Sequence, residues 1–224
     1  GLKNLRVFIP EGSKHETPKN TYDGLFSIPP SLLTSEDWCL TFGMDRFSPT
    51  GLLMEKALKK VESGFRTIEG EKIDGKKKTY SLEDLILCLE KDGELNSKER
   101  GYKADSVRAL VSRFEAAKGW GIFAAKGTAL AEISKEGQLT VVDTSSLDDT
   151  VTALVIGILA RRLLAARKVQ TRKEASTKFK DSERGKERET VDDLLENEIP
   201  PTWLFIDEAH TLIPSGNMKT PATS

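Results

Sequence analysis

The stretch Trp203-Leu204-Phe205-Ile206-Asp207-Glu208-Ala209-His210 decides how this chain is interpreted. Four apolar residues lead directly into two adjacent carboxylates. Strands of a parallel sheet are covered on both faces and therefore appear in a sequence as continuous apolar runs. In open α/β sheets, ligands bind just beyond the carboxyl ends of such strands. The stretch thus predicts a buried parallel strand over residues 203–206 that ends at a charged site.

The two carboxylates fit a Walker-B element of a nucleoside triphosphatase. Phosphoryl transfer to water requires a magnesium ion on the phosphates and an oriented water molecule. Because successive strand side chains point to opposite faces, the two carboxylates cannot do the same job. We expect Asp207 to hold the Mg²⁺ of bound ATP through the water shell of the ion. We expect Glu208 to be the catalytic residue, which orients the attacking water or accepts its proton.

Two residues beyond the pair are weaker candidates. Thr211 or His210 would be placed to sense the phosphate or a neighbouring subunit, but His210 fits an ordinary loop residue at least as well. The alternative without a catalytic role is that Asp207 and Glu208 simply begin a loop after a buried strand.

Residues 139–206 have the pattern strand, helix, charged segment, strand. The first strand is 139–142, and residues 146–149 cap the helix that follows. From 168 to 189 nearly every second residue is charged, which predicts an exposed segment, either a helical extension or disordered. A crossover helix between two apolar strands is a βαβ unit, whose strands lie parallel in one sheet. The apolar face of the helix consists of Val151, Leu154, Val155, Ile158, Leu159 and Leu163.

The preceding two thirds of the chain add strands and then helices. Residues 5–9 and 26–28 are strand candidates, and helices are predicted after Ser48, after Ser81 and around Val107. The fold class is therefore α/β, a parallel sheet with flanking helices plus a helical insertion. The predicted domains are an N-terminal part of the α/β core (1–47), the helical insertion (48–118) and the rest of the core with the Walker-B strand (119–224), which includes a charged, exposed insertion (168–199).

Composition excludes several classes of function. The 224 residues carry a net charge of −1 with 31% charged residues, so any DNA-binding surface has to be local. Cys39 and Cys88 are too few for a disulfide framework or a zinc site and fit a reducing, cytoplasmic setting. Two histidines do not indicate a histidine-based metal site. No apolar run approaches the ~20 residues of a membrane-spanning helix, and no signal peptide is visible.

A triphosphatase also needs a glycine-rich phosphate loop followed by Lys and then Ser or Thr. Residues 70–76 match the glycine and lysine spacing, but Lys77 replaces the hydroxyl residue and Glu71 and Asp74 would face phosphate. Residues 126–128, Lys-Gly-Thr, lack the earlier glycine. The sequence therefore contains no phosphate loop. It also begins without Met and ends soon after the carboxylate pair, so we expect an internal piece of a longer protein, without its Walker-A region.

Other candidates have plainer explanations. The lysine run at 76–78 would suit a nucleic-acid backbone, but short lysine runs are usually solvated turns. Arg108 and Arg113 lie on a predicted helix, where arginines mostly confer solubility. The tryptophans are expected to be packing residues rather than base-stacking platforms: Trp38, Trp120 and Trp203.

Three segments of the chain together resemble the HerA-like ATPases of the HerA/FtsK group. They are residues 139–146 (Leu-Thr-Val-Val-Asp-Thr-Ser-Ser), the long apolar helix that reaches Arg161-Arg162, and residues 203–214 (Trp-Leu-Phe-Ile-Asp-Glu-Ala-His-Thr-Leu-Ile-Pro). The resemblance covers roughly residues 80–215. It implies a partial RecA-like P-loop core, ATP and Mg²⁺ as cofactors, hexameric rings that move double-stranded DNA, and often a nuclease partner. The family's Walker-B carboxylates fall on Asp207 and Glu208.

The chain also departs from that family. The P-loop expected before the helical insertion is absent, as are the sensor strand and arginine fingers expected after Walker B. We therefore expect that this chain alone neither binds ATP well nor hydrolyses it. Two alternatives stay open: a non-catalytic scaffold made from a truncated or degenerate ATPase domain, and a fragment of a monomeric RNA helicase of the Asp-Glu-Ala-His type. The helical insertion argues against the second.

Overall fold

The computed structural model describes residues 4–97, 101–180 and 199–209, with the side chains of the last helix described as far as Arg172. The strands in this part of the chain are β1 Leu5–Pro10, β2 Gly24–Phe26, β3 Gly64–Arg66, β4 Lys72–Asp74 and β5 Leu139–Val142. The α-helices are α1 Ser35–Thr41, α2 Pro49–Ser63, α3 Leu82–Lys91, α4 Ala104–Lys118, α5 Leu130–Ile133 and α6 Asp149–Lys180.

A parallel sheet with the strand order β2-β1-β5 forms the centre of the α/β fold. Phe8 of β1 lies opposite Gly24 on one side and Val142 on the other. Phe8 and Ile9 are buried, and Pro10 ends the strand. The predicted strands at 5–9 and 139–142 are confirmed. The predicted second strand is displaced to Gly24–Phe26, and Ile28 makes only an isolated bridge to Phe123.

Capping residues in the sequence fix both ends of helix α2. The Ser48 hydroxyl accepts a hydrogen bond from the Gly51 amide, and Pro49 takes the first helical position, where no amide donor is needed. Gly64 ends the helix with a φ of 93°, a conformation that favours glycine. Phe65 directly after it lies in β3.

The strands β3 and β4 form an antiparallel hairpin that the sequence analysis did not predict. Each has three residues, too few to show the alternation of apolar and polar residues that indicates a strand. Gly75, directly after β4, packs closely against the end of α2. A Cβ atom at this position would overlap the Glu62 carbonyl oxygen. The predicted helical insertion is therefore helical with a hairpin inside it.

Helices α2, α3 and α4 pack on one another and share one hydrophobic core with the sheet and α6. Ser81 and Asp84 form the predicted capping box of α3, each side chain bonding the other's backbone amide. Five aromatic rings in and beside this core contact one another in tilted or edge-to-face arrangements: Trp38, Phe42, Phe114, Trp120 and Phe123.

Helix α6 is the predicted helix after β5, but the predicted βαβ unit is not formed, because residues 203–206 carry no sheet pairing. Asp148 accepts a hydrogen bond from the Val151 amide at the start of α6. Arg161 pairs with the buried carboxylate of Asp37 on α1 at 2.7 Å and so ties this helix to the rest of the core. The helix continues through residues 168–180, as the helical-extension alternative expected, and residues 181–198 of the predicted exposed segment lie outside the described residues. Ile199 is buried, so the exposed segment does not extend to residue 199 as predicted.

Within the described residues, no helix is both long and apolar enough to cross a membrane.

Candidate functional site

The strand order places a change of direction at the carboxyl edge of the sheet. Strand β1 is central, and its neighbours β2 and β5 lie on opposite sides. In open α/β sheets, ligands bind at such a change of direction, outside the carboxyl ends of the strands. Two polar loops meet there, because the Ser13 hydroxyl after β1 lies 2.8 Å from the Ser146 hydroxyl after β5. Asp143 comes directly after β5, and its carboxylate accepts a hydrogen bond from the Ser145 amide.

Residues 203–206 do not form the buried parallel strand that the sequence predicts. They carry no sheet pairing, and Trp203 and Phe205 are 85% and 82% exposed. The physical reason is the missing neighbour: a strand of four residues depends on hydrogen bonds from an adjacent strand, and an open cleft separates this segment from β5. The expectation that Trp203 is a packing residue is therefore also wrong, because the side chain is exposed and its ring stacks on the exposed ring of Phe205, at 6.5 Å between centroids.

The cleft has a volume of about 1680 Å³. It is lined by β5 and the loop after it, by one side of α6, and by residues 199–208. Pockets for small ligands usually enclose ~300–1,000 Å³. The cleft is therefore better described as a gap between two chain segments than as a preformed ligand pocket.

Asp207 and Glu208 lie on the wall of this cleft and are exposed. The Glu208 amide donates a hydrogen bond to the Asp207 carboxylate at 2.9 Å, and Glu208 has a φ of 49°, which is unusual for a residue other than glycine. Asp143 borders the same cleft. The structure thus places the two predicted carboxylates within one cleft that also reaches the carboxyl edge of β5. His210 and Thr211 lie outside the described residues.

Two contacts that the sequence analysis missed hold the start of the segment. The hydroxyls of Ser134 and Thr202 are 2.6 Å apart, and Arg167 of α6 donates a hydrogen bond to the Ile199 carbonyl at 3.0 Å. Both contacts join residues far apart in the chain. No spacing or composition signal marks them in advance.

The structure supports the rejection of both phosphate-loop candidates. Residues 72–74 of the first candidate are strand β4, paired with β3. In the second, Thr128 is buried, accepts a hydrogen bond from the Ser27 amide and donates one to the Leu25 carbonyl. A Cβ atom at Gly127 would overlap Pro29. Residues 126–128 therefore fix the end of β2 and have no amides arranged around an open space.

Several basic side chains on the described surface pair with carboxylates. Lys76 of the lysine run pairs with Asp84 at 2.7 Å, and Arg108 pairs with Asp105. No group of three or more metal-ligating His, Cys, Asp or Glu side chains occurs among the described residues. Further ion pairs join Arg46 to Glu36, Lys56 to Glu94, Lys59 to Glu55, Lys60 to Asp92 and Glu94, Lys72 to Asp74, and Lys118 to Glu115.

No protein-family model matches this chain, and no curated protein or solved structure matches it either. Its function is therefore inferred from its own residues and their arrangement.

Proposed function

We propose that this chain is part of an ATP-hydrolysing DNA translocase or helicase of the HerA type, built on a RecA-like P-loop core. One observation carries the proposal. An apolar stretch ending in Asp207-Glu208 follows helix α6 along the chain and borders the same cleft as the carboxyl end of β5 in the parallel sheet. Ligands of α/β proteins bind at that edge. The parallel three-stranded sheet is compatible with part of such a core.

The chemistry assigned to the pair follows from its residue types. Asp207 would hold the Mg²⁺ of ATP through water, and Glu208 would orient the attacking water or accept its proton. Both side chains are reachable from solvent in the cleft. The phosphate-binding residues of the site are not among the described ones.

The partners in this proposal are double-stranded DNA, further copies of the protein in a hexameric ring, and a nuclease. The two cysteines are buried and unpaired, which fits a cytoplasmic protein. Five of the seven basic side chains on α2, α3 and α4 already pair with carboxylates, so the DNA contacts are expected elsewhere. DNA binding that rests on phosphate contacts should weaken steeply as salt rises.

The test is ATP hydrolysis by the full-length protein with Glu208→Gln. Loss of a general base should lower the turnover rate about 10²–10⁴-fold, with ATP binding retained because the amide keeps the size of the side chain. Glu90→Gln, at an exposed position on α3, is the matched control and should hydrolyse ATP normally.

The outcomes separate the alternatives. Hydrolysis stimulated by double-stranded DNA and abolished by Glu208→Gln supports the proposal. Stimulation by RNA instead would indicate an RNA helicase of the Asp-Glu-Ala-His type. Hydrolysis that is absent from the unsubstituted full-length protein would favour a non-catalytic scaffold, and hydrolysis unchanged by Glu208→Gln would remove Glu208 from the mechanism.

A further inference from the structure

We propose that the cleft is a docking surface for a basic, arginine-containing segment of a partner protein, whose guanidinium groups lie against the exposed rings of Trp203 and Phe205. This inference goes beyond the proposed function and does not depend on ATP chemistry. It rests on the size of the cleft, on the two rings and on the charges that line it.

The cleft has the size and the lining of a surface for a peptide. Its volume of about 1680 Å³ exceeds the ~300–1,000 Å³ of pockets for small ligands. Val141 on β5 and Leu204 on the facing segment line it and remain 41% and 46% exposed. The methylene stems of arginine and lysine side chains cover such apolar surface while their charged ends reach polar groups. A basic peptide therefore suits the walls of the cleft.

Two aromatic rings lie open on one wall of the cleft. Trp203 and Phe205 are the two most exposed large apolar side chains in the described part of the chain. Their ring planes lie within 19° of each other, so the two rings offer nearly parallel faces to a ligand. A guanidinium group is flat and weakly hydrated, and the negative face of an aromatic ring attracts its charge. The rings are thus suited to stack on arginine side chains.

The charges around the rings favour a cationic partner. In the described part of the chain, five carboxylates line the cleft: Glu136, Asp143, Asp149, Asp207 and Glu208. Only two cationic side chains, Lys135 and Arg167, line it with them, and Arg167 already donates a hydrogen bond to the Ile199 carbonyl. Glu136, Asp143, Asp149 and Asp207 form no ion pair with another described residue. These carboxylates are therefore available to guanidinium groups, which bind carboxylates with two parallel hydrogen bonds.

The same charges disfavour the other flat ligand that aromatic rings accept, an unpaired nucleobase. Proteins that bind single-stranded nucleic acid combine stacking rings with a positively charged groove that follows the phosphates. The lining of this cleft has the opposite sign. The rings by themselves suit either ligand, and the carboxylates decide in favour of arginine.

Fluorescence anisotropy of a fluorescein-labelled octa-arginine peptide with the full-length protein tests the docking surface. We expect Trp203→Ala combined with Phe205→Ala to raise the Kd about tenfold, because both stacking faces are lost while every carboxylate remains. Phe47→Ala is the matched control. It removes a ring that is almost as exposed but does not line the cleft, so the Kd should not change.

An octa-lysine peptide of the same charge separates stacking from simple charge attraction. Lysine presents a compact, strongly hydrated ammonium group in place of a flat guanidinium group. We therefore expect octa-lysine to bind more weakly than octa-arginine to the unsubstituted protein, and equally well to the unsubstituted protein and to the double variant.

Hydroxyl-radical footprinting of the unsubstituted full-length protein gives an independent measurement, which also decides the matter if the double variant fails to fold. Octa-arginine should at least halve the oxidation of Trp203 and Phe205 and leave that of Phe47 unchanged. An unchanged Kd in the double variant, or equal oxidation of the two rings with and without the peptide, overturns the proposal. Protection by single-stranded oligothymidylate but not by octa-arginine overturns it in favour of nucleic acid. If octa-arginine protects the rings but Glu208→Gln leaves hydrolysis intact, the proposed function fails while the docking surface stands.

Discussion

At the scale of single residues, the buried carboxylate of Asp92 depends strongly on its partners, because Asp92 is only 1% exposed. The Leu95 amide donates a hydrogen bond to it, and the Lys60 ammonium lies 2.9 Å away. Burial lowers the pKa of Lys60, but its hydrogen bonds to Glu94 and Asp92 outweigh this effect, so the pKa is raised. The cation therefore stays charged beside the buried carboxylate.

We expect Asp92→Ala to lower the free energy of unfolding by about 2 kcal/mol, because it leaves the Leu95 amide without its acceptor and Lys60 with Glu94 as its remaining carboxylate. The matched control is Asp105→Ala, which removes an exposed carboxylate paired with Arg108 and should cost less than about 1 kcal/mol. Urea denaturation measures both. Equal losses for the two variants would show that the Asp92 pair contributes no more than a surface pair.

At the scale of elements, the sequence predicted those parts whose cause is local. Helix α3 is marked by its capping box, α6 by its apolar face, and β5 by its apolar run, and all three are present. Residues 203–206 do not follow this rule, because four apolar residues form a strand only beside a neighbouring strand, and their sequence does not show whether they reach one. The strand predicted to carry the carboxylate pair is therefore absent, and the pair lies on the wall of an open cleft.

The hairpin depends on another non-local condition, the close packing of Gly75 against the end of α2. We expect Gly75→Ala to lower the free energy of unfolding by about 3 kcal/mol, because the methyl group would overlap the Glu62 carbonyl and push the hairpin away. Gly43→Ala is the control. Its Cβ atom would meet open space, so only the positive φ of 61° adds strain, at about 1 kcal/mol. Thermal unfolding compares the two, and a smaller loss at Gly75 would contradict the packing.

At the scale of the whole molecule, the described residues supply a sheet edge, the long helix α6 and a pair of carboxylates. The hydrophobic core is continuous from the sheet through the helices of residues 48–118. Residues 199–208 are joined to this body by the contacts of Thr202 with Ser134 and of Ile199 with Arg167.

This arrangement makes a definite prediction about nucleotide binding by the 224-residue chain itself. ATP is held in triphosphatases mainly by backbone amides and a lysine of a phosphate loop, and neither loop candidate in this chain has that form. Two exposed carboxylates attract Mg²⁺ but repel the phosphates. Isothermal titration of this chain with Mg-ATP should therefore give no saturable heat at micromolar concentrations, and Asp207→Asn should leave the trace unchanged. Micromolar binding would contradict the prediction, and its loss in Asp207→Asn would then place the nucleotide in the cleft.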